Sequence, residues 1–197
     1  MSIVVEHEKR RREILDNALD VFIEEGYDEV TFQKIAGRCG ITRTTLYIYF
    51  KSKRDLFIGA IRQLTGSVET KIKALIQDEG ISNREKLRRT MRMIFEACME
   101  NRKLFQVTIV YLLRLKTAGK SPSERVRRRT IRLRHLLSSI LIEGINRGEF
   151  RGVNIKRANE ILFALVETLV FRLAVYDRGA EEALVSAADL VIDSITA

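Results

Sequence analysis

Apolar residues recur every three or four positions along almost the whole chain, which is the spacing of an amphipathic α-helix. In the first such stretch Ile14, Ala18 and Phe22 share one face, and Gly26 follows as a residue that readily ends a helix. No stretch shows the alternation typical of a strand, and no segment repeats. Only one proline interrupts the 197 residues. The pattern therefore predicts an all-α protein.

Breaks in this pattern divide the chain into nine predicted helices. Gly80 and Gly148 follow helix ends, and Gly179 separates the last two helices. The stretches 82–85 and 121–124 each carry the serine and glutamate spacing of a capping box, which marks the start of a helix. The other candidate caps at helix starts are Thr42, Ser52 and Asn154.

Two short helices joined by a tight turn follow the first helix. They are predicted over about 31–38 and 42–50, with Gly40 in the turn because glycine adopts the required backbone conformation at low steric cost. Ala36 supplies the small residue needed where the two helices cross. The apolar positions that pack the pair are Ile35, Cys39, Ile41 and Leu46. This spacing is that of a helix-turn-helix, which places its second helix in the major groove of DNA.

The charge distribution favours the same function. The chain has a net charge of +9 and a pI of about 9.8, which suggests a polyanionic partner. Between Thr31 and Arg54 there are six basic residues and no acidic one. A second surplus, with 16 basic and 4 acidic residues, spans 84–134, where a solvated helix face is the simpler interpretation. The first cluster coincides with the predicted helix-turn-helix.

About the first 57 residues resemble the DNA-binding domain of the tetracycline-repressor (TetR) family. The residues that carry the resemblance are Phe22, Gly26, Tyr27, Thr31, Ile35, Ala36, Gly40, Ile41, Leu46, Tyr47, Tyr49, Phe50, Lys53 and Leu56. It implies a nine-helix fold with a DNA-binding domain over 1–52 and a ligand-binding and dimerisation domain over 53–197. The chain departs from the family at Thr44, where members often carry glycine, and at Ile48, where many carry a polar or larger side chain. Both departures bear on the DNA sequence preference.

The second helix of such a motif enters the major groove with its N-terminus first. Arg43 can then form two hydrogen bonds to a guanine, and Ile48 can contact a thymine methyl group. The candidate base contacts are Gln33, Arg43, Thr44, Thr45 and Ile48.

Phosphate contacts position the motif rather than specify the sequence. The resemblance implies that Tyr47, Tyr49 and Lys53 bind phosphates, although both tyrosines could instead only pack. Thr42 and Lys51 are further candidates. The basic run 9–12 could reach DNA as an arm, or be a solvated helix start flanked by acids.

One reading helix gives limited specificity, so the protein is expected to bind a palindromic operator as a homodimer. The last two predicted helices are the candidate interface, because the eighth is apolar over more than one core stripe and the family uses the same pair. Alternatively, both helices only complete the core of one chain. The candidate interface residues are Leu162, Leu165, Val166, Leu169, Leu173, Leu184, Ala188, Val191 and Ile195.

The resemblance also implies a small-molecule effector, enclosed by helices five to eight, that releases a repressor from its operator. The candidate walls are Phe95, Met99, Phe105, Tyr111, Leu112, Phe163 and Glu167. Aromatic residues at helical spacing also fit an ordinary core. Glu167 is an acid within an apolar helix, so it would meet a cationic ligand or, as we favour, pair with Arg172 or a basic residue of helix seven.

The sequence contains no motif typical of a catalytic or metal-binding site. His7 and His135 are not spaced as metal ligands, and neither a phosphate-binding loop nor a nucleophile elbow is present, so we expect no enzyme, cofactor or metal. Oxidation of Cys39 or Cys98 is an alternative to an effector, although inert packing fits both better. A protein-binding helical adaptor is another alternative, against which the acid-free run argues. No signal peptide or membrane span is recognisable, so we expect a cytoplasmic protein.

Overall fold

A computed structural model describes residues 2–119, 124–176 and 181–197. Within these ranges the chain forms nine helices, which confirms the predicted all-α fold. They are α1 (Ser2–Glu29), α2 (Phe32–Arg38), α3 (Arg43–Tyr49), α4 (Lys53–Gln77), α5 (Asn83–Glu100), α6 (Arg102–Thr117), α7 (Glu124–Asn146), α8 (Ile155–Val175) and α9 (Glu181–Ile195). The capping-box residues 121–123 and the break at Gly179 lie outside the described residues. None of the described helices is long and apolar enough to cross a membrane.

The chain divides into two compact units, Met1–Ser67 and Val68–Ala197. The sequence predicts a domain boundary between residues 52 and 53, at the start of α4, whereas the boundary between the compact units falls inside this helix. The reason is that α4 contributes to two cores. Phe57 is fully buried in the first unit, and Ile72 is fully buried in the second.

The first unit is built around the apolar face of α1. Ile14, Ala18 and Phe22 are fully buried, and the rings of Phe22 and Phe57 meet edge to face with centroids 4.8 Å apart. The regular helix is interrupted at Gly26, whose φ of 79° is open to glycine at little cost. The chain thereby turns into the short helices α2 and α3.

Four of the predicted N-terminal caps form hydrogen bonds in the described residues. The Thr42 hydroxyl accepts a hydrogen bond from the Thr45 amide at 3.0 Å, and the Ser52 hydroxyl accepts one from the Asp55 amide at 3.1 Å. Ser82 and Asn154 cap α5 and α8 in the same way. These side chains satisfy backbone donors that have no partner within the helix, and they fix where each helix begins.

In the second unit, residues distant in sequence hold α5 in place. The Glu149 carboxylate accepts hydrogen bonds from the backbone amides of Asn83 and Arg84 and, at 2.8 Å, from Asn83 Nδ2. A negative charge at the start of a helix also interacts favourably with the helix dipole. Next to it, Phe150 and Thr196 form an isolated antiparallel bridge, which ties the end of the chain to this loop.

Part of the second basic surplus is neutralised by α9. Arg84, Arg88 and Arg92 lie one turn apart on α5, and Asp189 and Asp193 lie one turn apart on α9. Arg84 contacts Asp193 at 2.8 Å, and Arg88 contacts Asp189 at 3.3 Å. The α5 part of the surplus therefore serves the fold, through acids that lie about 100 residues away in sequence.

Candidate nucleic-acid interface

The packing of α2 against α3 determines which face of α3 is left for solvent. Ile35, Ala36 and Leu46 are completely buried between the elements. Gly40 adopts φ 63° in the turn, and the Ile41 amide donates to the Ala36 carbonyl at 3.0 Å. This is the helix-turn-helix that the sequence predicts, and the opposite face of α3 points outward.

Most of the candidate contact residues lie on that outward face. Those that the structure places at the surface are Gln33, Thr42, Arg43, Thr44, Tyr47, Ile48 and Lys51. Thr45, Tyr49 and Lys53 are partly buried. Ile48 is 71% exposed, although it is a large apolar side chain, and it lies one residue before the end of α3. An exposed face that combines a cation, hydroxyls and a methyl-bearing side chain can contact both base edges and phosphates.

Tyr47 both packs and remains accessible. Its ring stacks on Phe32 with centroids 4.7 Å apart, and the Arg43 guanidinium lies 5.6 Å from the ring centroid. Arg43 Nη2 also donates a hydrogen bond to the Tyr47 hydroxyl at 3.3 Å. The side chain is nevertheless 47% exposed. Packing therefore fixes the ring without hiding it, so the two interpretations of this residue are compatible.

Lys53 is held by the end of α1. Its ammonium donates to the carbonyl oxygens of Asp28 and Val30 at 3.0 and 2.9 Å, and it lies 4.8 Å from the centroid of the Tyr27 ring. Partial burial lowers the pKa of Lys53 below its ordinary value. An ammonium has three donors, so two carbonyl partners orient it and leave one donor for an anion.

Two basic residues of the acid-free run are paired with acids from α1. Lys34 Nζ contacts the Glu25 carboxylate at 2.6 Å, and the guanidinium of Arg38 pairs with the Glu24 carboxylate. These acids precede the run in sequence, so the sequence pattern overstates the positive charge on α2. The positive surface is thereby concentrated on α3 and the start of α4.

The first turns of α1 contact the helix-turn-helix, which the sequence did not reveal. His7 stacks on Tyr49, Arg11 lies over the Phe50 ring, and Arg10 donates to the Cys39 carbonyl. The sequence predicts that the basic run 9–12 is either an arm that reaches DNA or a solvated helix start. The structure shows that two of its arginines pack on the motif instead. The only feature of the sequence that indicates this contact is the helical spacing of residues 7, 10 and 11, which places them on one side of α1.

Neither cysteine has a reactive environment. Burial raises the pKa of the Cys98 thiol to about 12, and burial also raises the pKa of Cys39 against the lowering effect of Arg10 and Arg38. A raised pKa keeps a thiol protonated and unreactive at neutral pH. Among the described residues, no three acidic, histidine or cysteine side chains group closely enough to hold a metal ion.

The predicted interface residues of α8 and α9 lie largely within the core of their own chain. Most of the predicted interface residues are buried inside the protomer: Leu162, Val166, Leu169, Leu173, Leu184, Ala188 and Ile195. Leu165 and Val191 are partly buried against the same core. A side chain buried within its own chain has no surface left for a partner, so these residues complete the protomer core. The exposed apolar residues of the two helices include Ile161, Ala164, Phe171, Val175 and Leu190, which we call the outer stripe.

The residues predicted to line the effector site are mostly buried or partly buried, and one of them is exposed. Phe95 is buried, and Met99 and Phe105 pack against the same core. Tyr111 and Phe163 are also buried, and Leu112 is partly buried. Glu167 lies on the exposed face of α8, and the pairing that the sequence predicts for it stays a prediction. The sequence shows an apolar helix around it but not which face turns to solvent.

A groove of about 510 Å³ lies between α7 and α8, away from most of these predicted walls. It is lined by residues that include Arg134, His135, Lys156 and Asn159. Asn159 Nδ2 donates to the Arg134 carbonyl and to the Ser138 hydroxyl, both at 2.6 Å, and so fastens α8 to α7.

This arrangement of two short helices with an exposed, cationic second helix defines a helix-turn-helix protein that binds DNA. Residues 14–60 match the family described as bacterial regulatory proteins, tetR family. The Fatty acid metabolism regulator protein of Bacillus subtilis (strain 168) is 26% identical over 159 residues, which are 80% of this chain and 80% of that protein.

Solved structures agree with this assignment. The transcriptional regulator FadR from Bacillus subtilis in complex with stearoyl-CoA has a TM-score of 0.70 and 26% identity, over 92% of this chain and 95% of that chain. A TetR transcription regulator from Haloarcula marismortui ATCC 43049 has a TM-score of 0.83 at 20% identity, over 96% of this chain and 100% of that chain, which shows likeness of fold. Residues 14–60 are therefore a helix-turn-helix of the TetR type, and most of the chain is similar to DNA-binding transcriptional regulators of that family.

Proposed function

We propose that the protein is a homodimeric repressor that binds a palindromic operator and is released from it by a small-molecule effector. The observation that carries the DNA-binding part is the outward face of α3, where Arg43, Thr44 and Ile48 stand exposed on a helix whose other face is buried. Arg43 would contact a guanine, and Ile48 a thymine methyl group, while Thr44 and Thr45 would contact a base edge or a phosphate. Gln33 on α2 is the remaining candidate base contact.

Phosphate binding would surround this reading face. Tyr47 and Tyr49 would donate through their hydroxyls, and Lys53 through the one donor that its two carbonyl partners leave. Thr42 and Lys51 would add contacts at the two ends of α3. An equilibrium titration of a labelled inverted-repeat duplex at several salt concentrations tests the whole interface. Affinity should fall steeply with salt, and the absence of any preferred inverted repeat in a random library would reject the proposal in favour of a protein-binding adaptor.

Dimerisation through the outer stripe would place two reading helices in successive major grooves. The stripe members Ile161, Ala164, Phe171 and Val175 are separated by three, seven and four residues, so they share one face of α8. Leu190, which is 71% exposed, adds the matching apolar position on α9. Two copies of this pair of helices would bury the stripe in a four-helix interface around a twofold axis.

We propose a long-chain acyl-CoA thioester as the effector class. The support is the likeness to two regulators, one named for fatty acid metabolism and one solved with stearoyl-CoA. Phe95, Met99 and Phe105 would line the acyl chain, since they belong to one apolar cluster of the second unit. Adding stearoyl-CoA to the labelled complex should weaken operator binding, whereas free CoA should not. Unchanged affinity with stearoyl-CoA would exclude this effector class.

Release would pass through α4. This helix contributes Phe57 to the first core and Ile72 to the second, and Lys86 of α5 donates to the Ile76 carbonyl near its C-terminal end at 2.8 Å. An effector that binds two conformations of α5 with different affinity would therefore shift α4 as well. The Lys86→Met variant removes this hydrogen bond, and it should reduce the effect of stearoyl-CoA on operator affinity more than it changes operator affinity itself.

A further inference from the structure

The first turns of α1 hold the end of the reading helix. Arg10 and Arg11 follow His7 by three and four residues, so both lie on the same side of α1 as His7. The His7 and Tyr49 rings stack with centroids 4.6 Å apart and planes inclined by 21°. The Arg11 guanidinium lies 5.0 Å from the centroid of the Phe50 ring. Tyr49 and Phe50, two adjacent residues at the end of α3, are therefore both contacted by α1.

The same face of α1 also reaches the turn before α3. Arg10 Nη2 donates to the Cys39 carbonyl at 3.2 Å, while its Nη1 donates to Glu13 at 2.9 Å. The three residues therefore contact the motif before α3 begins and where it ends. Their side chains connect the motif to α1, so this part of the basic N-terminus is tied to the protein.

Tyr49 is the residue of α3 that His7 contacts. It is the last residue of α3 and is only partly buried, so the rest of the motif leaves part of its ring uncovered. A tyrosine in such a position can populate several side-chain rotamers, and each places the hydroxyl elsewhere. A stacked ring on its face favours one of them.

We propose that His7 is a positioning residue for DNA binding, which acts by stacking on Tyr49 and setting the direction of its hydroxyl toward the phosphate backbone. The inference rests on the proposed function, in which Tyr49 is a phosphate contact. The interaction is between two ring faces, so its effect depends on an aromatic ring at position 7 and not on a positive charge there.

Two variants separate stacking from charge. In an anisotropy titration of the labelled operator, His7→Ala should weaken binding by about 3- to 10-fold, as expected for the loss of an aromatic pair. His7→Phe should restore affinity to within about 2-fold of the unmodified protein. Val5→Ala is the matched control, because Val5 lies on the same turns and is 67% exposed.

The salt dependence of binding identifies a direct contact. If the His7 imidazolium bound a phosphate itself, both variants would lose affinity, and the slope of log affinity against log salt would become shallower. With a positioning role, the slope stays unchanged in both variants. Equal loss of affinity in His7→Ala and His7→Phe would overturn the proposal, and so would unchanged affinity in His7→Ala.

A measurement on the free protein keeps the stack and the DNA contact distinguishable. The ring proton signals of Tyr49 in an NMR spectrum should shift in His7→Ala and stay displaced by a ring current in His7→Phe. Unshifted signals in His7→Ala would overturn the stack. If Tyr49→Phe leaves operator affinity unchanged, Tyr49 does not contact a phosphate, and the proposed positioning role of His7 is rejected as well. If the unmodified protein prefers no operator, the proposed function itself has failed.

Discussion

Arg43 is the first residue of α3, and its guanidinium is oriented before any DNA is bound. It lies over the Tyr47 ring and donates to the hydroxyl of that residue, while the Tyr47 ring also stacks on Phe32. Each of these contacts is weak on the surface of a protein. Together they restrict a long, flexible side chain, so less conformational entropy is lost when it meets a base.

Replacing Arg43 should affect both affinity and specificity. Arg43→Ala removes the proposed contact to guanine, and each such contact contributes about 1–3 kcal/mol of discrimination. We expect operator affinity to fall by roughly 5- to 150-fold and the preference at one position of each half-site to weaken. Competition titrations with single-base operator variants measure both effects.

Arg38→Ala is the matched control for this prediction, since Arg38 is a nearby surface arginine paired with Glu24. Its affinity should change far less. If the two variants behave alike, or if Arg43→Ala keeps the original base preference, Arg43 does not read the sequence.

The cysteines should behave differently from redox-sensing thiols. With a pKa of about 12, Cys98 is almost entirely protonated at pH 8, and its burial also excludes reagents. A thiol-titrating disulfide reagent at pH 8 should leave Cys98 unmodified in the native protein and react with it after denaturation. Rapid reaction of Cys98 in the folded state would restore the hypothesis of thiol regulation.

At the scale of elements, the sequence predicts best where the interactions are local. Gly40, Thr42 and Ser52 determine turns and helix starts through neighbours within a few residues, and the structure confirms all three. Contacts between distant segments were not predictable in this way. The sequence does not show that Glu24 neutralises Arg38, nor that His7 stacks on Tyr49.

The two faces of α8 illustrate the same limit. An apolar helix that is wider than one stripe predicts two packing surfaces, but periodicity alone does not say which surface faces the core of its own chain. Periodicity therefore does not show that Leu162 is buried within its own chain, nor that Glu167 lies on the exposed face. Leu162 and Ile161 are similar apolar side chains and neighbours in sequence, yet Leu162 is buried and Ile161 is exposed.

The loop after α7 gives a prediction about stability. Gly144 lies where an added Cβ would come within 2.2 Å of the Phe150 ring, and Phe150 is itself buried. Gly144→Ala should destabilise the protein by about 1–3 kcal/mol, because a buried ring must move. For a chain of this length we expect Tm to fall by roughly 3 to 10 °C in thermal denaturation followed by circular dichroism.

Gly66→Ala provides the contrast within a helix. Gly66 lies in the interior of α4, and an added Cβ would meet nothing within 4 Å. Alanine should there increase stability by up to about 1 kcal/mol through its better helix propensity. A Tm for Gly144→Ala equal to that of Gly66→Ala would show that the Phe150 ring can move without cost.

At the scale of the whole molecule, dimerisation decides whether two reading helices act together. The outer stripe exposes about half or more of the Ile161, Phe171 and Val175 side chains, which is unusual for large apolar residues on one helix face. Phe171→Glu places a charge at the centre of this face, where burial against a second copy would be costly. The variant should sediment as a monomer of 22.7 kDa, whereas the unmodified chain should sediment at about twice that mass.

The same variant should lose most of its operator affinity while its helices remain folded, because a single reading helix binds only one half-site. Val110→Glu is the control, since Val110 is similarly exposed, at 58%, but lies on α6 and not on the two helices that carry the stripe. It should remain dimeric and bind DNA normally. If Phe171→Glu sediments as a dimer, the second copy must dock elsewhere; if it is monomeric yet binds the full operator unchanged, the two reading helices are not coupled through this interface.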